Sequence, residues 1–236
     1  VVCCKASLFW KKEFTLDERT TGVVAADLEG TLTMGATWKG IARYLTTHGR
    51  SLAYRLFYLR HFPLAMLARW GMVDRAAFNI RFMTGLLKLF KGYTEAQFNE
   101  MVEWVLDYET WAQRRADVLA ELESLRQQGH RLVIVSGAYQ PVVEAFGRRV
   151  GAAAIGTPLE IINGKLTGRF AEPMNMGESK VRKLREFLTG LPLVAAYGDT
   201  LPDISMLAMS QSPVAVYPDE GLRTAAREKG WRILET

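Results

Sequence analysis

The chain has 236 residues, of which 49% are hydrophobic and 23% charged, with a net charge of +5. This is enough apolar material for one large domain, or for one domain carrying an insertion, and a mean hydropathy of −0.01 argues for a soluble protein. The two cysteines, Cys3 and Cys4, are adjacent and exclude a disulfide framework, and no repeat, low-complexity tract or Pro/Gly/Ser-rich linker divides the chain.

Residues 1–20 are expected to be an N-terminal extension. Their opening apolar stretch is too short for a signal peptide and carries no small-residue cleavage pattern before Lys11-Lys12-Glu13, so the expected location is cytoplasmic. The next segment, Val23-Val24-Ala25-Ala26, reads as a buried parallel strand. Asp27, Glu29, Gly30 and Thr31 follow at its C-terminal end, where ligands bind in open α/β sheets. Two carboxylates so placed can divide labour as nucleophile and acid/base, or approach a divalent cation together. Taken alone, the same residues also describe a strand end followed by a solvated acidic turn.

From residue 35 to residue 94 the chain carries ten basic residues against one acid, Asp74. This +9 leaves −4 for the remainder. The segment is also rich in Leu, Phe, Tyr, Trp and Met. Between Leu52 and Met72 it is apolar enough to raise the question of a membrane span, but Arg55, Arg60, His61 and Arg69 interrupt it and Pro63 should kink it. The expectation is a basic helical module that attracts anionic substrates or anionic membrane surfaces, with peripheral membrane contact as one consequence. The alternative is a helical bundle whose basic residues are its wet face.

Beyond Trp111, helices and strands alternate. Residues 112–128 have helical spacing and Gly129 is a stop signal. Residues 131–135 form a short strand leading to Ser136-Gly137, and 141–150 fit a helix with Pro in its first turn. Residues 152–162 read as strand-like, and Asn163-Gly164 marks a hairpin into 165–170. A helix over 178–188, a strand over 193–197 ending in Gly198-Asp199, a strand over 213–217, a helix to Lys229 and a last strand over 232–234 complete the series. Such alternation implies a parallel sheet covered on both faces. The clusters at Asp27/Glu29, Ser136/Gly137 and Asp199 then converge on one edge, with Lys180 near a helix start beside them. Carboxylates, a hydroxyl, backbone amides and an ammonium are the parts that phosphoryl transfer uses.

These residues resemble the haloacid dehalogenase (HAD) superfamily, and within it the phosphoserine-phosphatase-like IB group. Asp27-Leu28-Glu29-Gly30-Thr31, Val135-Ser136-Gly137, Lys180 in Gly177-Glu178-Ser179-Lys180, and Gly198-Asp199-Thr200-Leu201-Pro202-Asp203 are similar to its four motifs in order. The resemblance implies a three-layer Rossmann-like α/β core over 21–34 and 112–236, with a central parallel sheet and an α-helical type-1 cap inserted over 35–111. It implies a Mg²⁺-dependent phosphomonoester hydrolase in which Asp27 forms an aspartyl-phosphate and Glu29 is the acid/base. Ser136, Gly137, Lys180 and Thr31 would bind phosphate. Asp27, Glu29 through its carbonyl, Asp199 and Asp203 would hold the metal.

The family usually has Asp at the position of Glu29. The cap entrance, Gly35-Ala36-Thr37-Trp38, lacks the acidic residue that would bind the ammonium of phosphoserine, which is therefore disfavoured. The expected substrate is a small phosphate ester; the alternative is a lipid phosphate reached at the membrane surface. A reading of another class is a non-catalytic module that docks on anionic surfaces. Nucleic acid is not expected, because the aromatics have helical rather than platform spacing. His48, His61, His130, Trp104, Trp111, Met206 and Met209 are expected to be structural.

Overall fold

The structure is a computed structural model that describes residues 20–235. The expectations for Cys3, Cys4 and almost all of the extension 1–20 lie outside these residues. The central sheet has six strands: β1 (Gly22–Ala26), β2 (His130–Tyr139), β3 (Ala153–Thr157), β6 (Leu193–Gly198), β7 (Ser212–Val216) and β8 (Arg232–Leu234). Their spatial order is β3-β2-β1-β6-β7-β8, and every pairing is parallel. A separate antiparallel hairpin joins β4 (Leu159–Ile162) and β5 (Lys165–Phe170). Asn163 and Gly164 at its tip both have positive φ, as a two-residue hairpin turn requires.

Alternation along β1 divides the core. Val24 and Ala26 point into one buried cluster with Val118, Leu122, Val143 and Phe146 of α5 (Ala116–Gln127) and α6 (Gln140–Val150). Val23 and Ala25 point into the other, with Leu184, Phe187, Leu207 and Leu222 of α7 (Glu178–Leu188), α8 (Ile204–Leu207) and α9 (Glu220–Lys229). All five residues of β1 are buried, which is why that strand reads as a continuous apolar run. This is the three-layer Rossmann-like α/β architecture expected from the sequence.

Four helices leave the sheet after β1: α1 (Thr37–Thr47), α2 (Ser51–Arg69), α3 (Arg75–Lys88) and α4 (Glu95–Val105), followed by a π-helical turn, Leu106–Thr110. The outgoing and returning chains are stitched together. The Arg115 amide donates to Leu32 O, the Met34 amide to Gln113 O, and Thr33 Oγ1 to Thr110 O at 2.5 Å. The Tyr139 hydroxyl also reaches from β2 to Met83 O of α3 at 2.7 Å, and Gly92 and Tyr93 pair with Leu166 of the hairpin.

Several elements differ from the sequence reading. Helix α5 starts at Ala116 rather than residue 112, because Gln113 and Arg114 are held in the strand-like crossing with Thr33 and Met34. Residues 152–162 are not one strand: the chain breaks at Pro158, which has no N–H to donate, and β3 and β4 belong to different sheets. Strand β2 runs on to Tyr139, but its register slips against β3 after Val135. Ser136 and Gly137 thus lie in an irregular stretch and not beyond the strand.

Candidate active site

Strand order fixes the site. β1 is flanked by β2 and β6, so the segments following or ending these three strands meet at the crevice where the chain switches direction across the sheet. The Asp27 amide donates to Tyr197 O, which continues the β1–β6 ladder by one step and aims the next side chains past the sheet edge.

Lys180 is the hub. Its Nζ lies 2.6 Å from Asp27 Oδ1 and 2.6 Å from Asp203 Oδ1, and all three groups are buried. Lys180 sits in the first turn of α7, behind Gly177, whose φ of 51° makes the turn into the helix. Asp203 is held by its own local geometry: Oδ2 accepts from the Thr200 amide (3.3 Å) and hydroxyl (3.0 Å) in a capping box. Both of its oxygens therefore already have protein donors.

Asp199 lies against the β1 loop. Thr31 Oγ1 donates to Asp199 Oδ1 at 3.0 Å. Gly30 has φ +90°, and a Cβ there would stand 1.9 Å from Asp199 Oδ2, so only glycine lets the loop approach this carboxylate. Arg115 Nε donates to Gly30 O at 3.1 Å, and the Arg115 guanidinium stacks on the Tyr217 ring at 3.8 Å, bracing the loop from outside.

Carboxylate oxygens of Asp27, Asp199 and Asp203 all lie within 4.8 Å of one another. With Lys180 they leave two negative charges in a mostly buried cluster. The pKa shifts follow first from burial and then from that charge. Burial, together with Asp203 and Glu29, pushes Asp27 up to about 7 against the pull of Lys180. Burial and the neighbouring Asp27 and Asp203 push Asp199 up to about 8. Burial alone would lower Lys180, but Asp203 and Asp27 outweigh it and hold the ammonium above its ordinary range. Hard oxygen donors, two excess negative charges and a loop cleared of side chain at Gly30 fit a divalent cation such as Mg²⁺.

Glu29 does not join that cluster. Its Oε1 accepts from the Thr37 amide at 2.7 Å, at the N-terminus of α1. Ala36 offers this helix no side-chain cap, so carboxylates from elsewhere supply it: Glu29 at Thr37 N and Glu109 at Ala36 N, 3.4 Å away. Burial raises the Glu29 pKa, against the opposing pull of Thr37. Glu109 lies in the π-helical turn, 73 residues beyond Ala36, and is buried. The stretch Gly35-Ala36-Thr37-Trp38 has no acid of its own, but the fold brings the Glu109 carboxylate to it from a distant part of the chain.

Ser136 is buried on β2, its Oγ accepting from the Ala138 amide at 3.3 Å. The Gly137 carbonyl accepts from Thr157 Oγ1 at 2.8 Å. Asn175 was not singled out from the sequence. It is fully buried, and its Nδ2 donates to Ser136 O and Ile155 O, both at 3.0 Å, tying the α7 approach loop to β2 and β3. Nothing in the local pattern around a loop asparagine signals that role. His48 stacks on Tyr44, His61 packs against Phe57 and Phe82, and His130 shares a hydrogen bond with Thr21; these three stay outside the site. Met206 is buried, and Trp104, Trp111 and Met209 pack against the two core clusters. A depression of about 790 Å³ lies among the N-terminal ends of β6–β8 and α5, where Arg232 and Tyr197 hold Glu121, and contains none of the clustered carboxylates.

Residues 24–208 match the family model for haloacid dehalogenase-like hydrolases. The chain belongs to this family. Among related sequences, phosphoserine phosphatase SerB1 of Mycobacterium tuberculosis is 30% identical over 153 residues, covering 62% of this chain and 49% of its own. The histidinol-phosphatase of Neisseria meningitidis is 28% identical over 185 residues, covering 73% and 72%. Several curated relatives are matched over only about half their length. Among solved structures, a Bordetella pertussis protein of unknown function superposes with a TM-score of 0.77 at 20% identity, covering 92% of this chain and 99% of that one. A phosphoserine phosphatase trapped as a phospho-aspartyl intermediate analogue gives a TM-score of 0.62 at 20% identity, covering 92% and 94%. This HAD chain therefore shares its fold with phosphatases. Among the described residues no helix is long and apolar enough to cross a membrane.

Proposed function

We propose that the chain is a phosphomonoester hydrolase acting through an aspartyl-phosphate on Asp27. The observation that carries this reading is the buried Asp27–Lys180–Asp203 chain of 2.6 Å contacts at the end of the central strand. Lys180 orients one Asp27 oxygen, and the other attacks phosphorus. The bond from phosphorus to the ester oxygen breaks as the Asp27–phosphorus bond forms, and Glu29 gives the leaving oxygen its proton. Glu29 then takes a proton from water, the hydroxide attacks phosphorus, and phosphate departs from a restored Asp27.

Ser136 and the Gly137 amide, on the neighbouring strand, would bind the phosphate oxygens together with the third N–H of Lys180. Thr31 gives its hydroxyl proton to Asp199, so what it offers phosphate is its backbone amide. Asp27, the Glu29 carbonyl and Asp199 would hold Mg²⁺; Asp203, whose oxygens are already engaged, would act through water. When bound, the cation neutralises the excess carboxylate charge and the charge on the phosphoryl group.

The substrate is a small phosphorylated compound. Relatives named for phosphoserine and for histidinol phosphate differ in leaving group, so the leaving group is a matter for a substrate panel. The test of the reaction is para-nitrophenyl phosphate turnover with and without Mg²⁺, in the wild type and in Asp27→Asn. Turnover should need the cation, and Asp27→Asn should lower it by about 10³-fold or more. Activity surviving that substitution would overturn the mechanism, and failure to turn over any phosphoester would favour a binding module.

A further inference from the structure

Helix α2 is apolar on two opposite sides, and only one of them is buried. Phe57 and Ala68 face the core, with Tyr54 and His61 partly covered beside them. At 100° per residue, Leu52, Leu56, Leu59, Pro63 and Trp70 fall on one stripe on the opposite side. That stripe is open to solvent: Leu52 is 70% exposed, Leu59 68% and Trp70 66%. Met72, just past the helix, is exposed as well. Arg55 and Arg60 flank the stripe on either side, both exposed, within the segment that carries +9 over residues 35–94.

We infer that this outward face of α2 docks on an anionic lipid surface. An apolar stripe rimmed by cations, with a tryptophan at its end, is the pattern of a helix lying in the headgroup region: aliphatic side chains enter the acyl boundary while guanidinium groups meet lipid phosphates. The charge selects this occupant over others. A second copy would bring Arg55 and Arg60 against the same cationic rims. Nucleic acid would find the aliphatic Leu52, Leu56 and Leu59 along most of the stripe, where it needs stacking surfaces. Docking concerns where the enzyme sits and is independent of the phosphatase reading, because none of these residues belongs to the candidate site.

The test is co-sedimentation of the whole chain with vesicles of phosphatidylcholine alone or mixed equally with phosphatidylglycerol. The wild type should sediment with the anionic vesicles at low salt, release as salt rises, and bind the neutral ones poorly. Leu56→Ser with Leu59→Ser, and separately Arg55→Glu with Arg60→Glu, should each reduce anionic partitioning by about tenfold or more. Both pairs are exposed, so fold and para-nitrophenyl phosphate turnover should be unchanged. The inference is overturned by no binding at low salt, by equal binding to neutral vesicles, or by variants that bind like wild type. It is also overturned by a concentration-dependent dimer that Leu56→Ser with Leu59→Ser dissolves. A chain that binds vesicles but turns over no phosphoester leaves docking intact and sinks the catalytic reading alone.

Discussion

The α-carbon of Gly30 faces the Asp199 carboxylate so closely that a Cβ would stand 1.9 Å from Oδ2. The loop after β1 and the loop after β6 are therefore packed backbone to carboxylate, and the φ of +90° at Gly30 permits it. Gly30→Ala should cost about 1–3 kcal/mol in backbone strain. Displacing Asp199 should lower kcat/KM for para-nitrophenyl phosphate by about 100-fold or more. Steady-state kinetics beside a melting curve separate the two effects. Wild-type kinetics in a folded variant would show that Asp199 is not needed where it stands.

Lys180 bridges two buried carboxylates at once. Lys180→Met should destabilise the metal-free protein by about 3–5 kcal/mol, because Asp27 and Asp203 are then left buried without a cation. Adding Asp203→Asn to it should recover part of that loss, since one of the stranded charges is removed. Urea unfolding midpoints of the two variants check this. Equal midpoints would mean the pair is not coupled through Lys180.

The raised carboxyl groups set a pH dependence with a definite sign. Asp27 (about 7) and Asp199 (about 8) bind protons more tightly folded than unfolded. Without divalent cation, these two groups make stability fall as pH rises from about 4, their ordinary range, through 7 to 8. A divalent cation held by these carboxylates would bind their ionised forms, so the rise in Tm on adding Mg²⁺ should grow over the same window. Scanning fluorimetry of wild type and Asp199→Asn at pH 5, 6, 7 and 8, with and without Mg²⁺, reads both slopes. A Mg²⁺ effect independent of pH would contradict the assignment of these carboxylates as its ligands.

Much of the fold was legible because buried parallel strands are written as local apolar runs. Val23–Ala26, Leu193–Tyr197 and the 178–188 helix stand where periodicity puts them. The errors fell where a tertiary partner overrode local pattern. Gln113 and Arg114 gave up helix to pair with Met34 and Thr33, and Pro158 sent the two halves of an apparent strand to different sheets. At the site, Asp27, Lys180 and Asp199 were readable as strand-end or helix-start polar residues, and Asp203 only through the motif resemblance. Glu109 and Asn175 were not, since each acts on a backbone group 20 or more residues away.

The sequence by itself determined the alternation of elements, the polar residues at the ends of the apolar strands, and the concentration of positive charge between residues 35 and 94. Those properties depend on neighbours in the chain, and hydrophobic period and charge report them directly. Only the tertiary structure decided that Lys180 bridges Asp27 and Asp203, that Glu29 caps the first inserted helix, and that the second apolar side of α2 faces solvent. The Lys180–Asp27 contact joins residues 153 apart in sequence. Such contacts depend on strand order and on which helix face finds a partner, and both are settled only when the whole chain is packed.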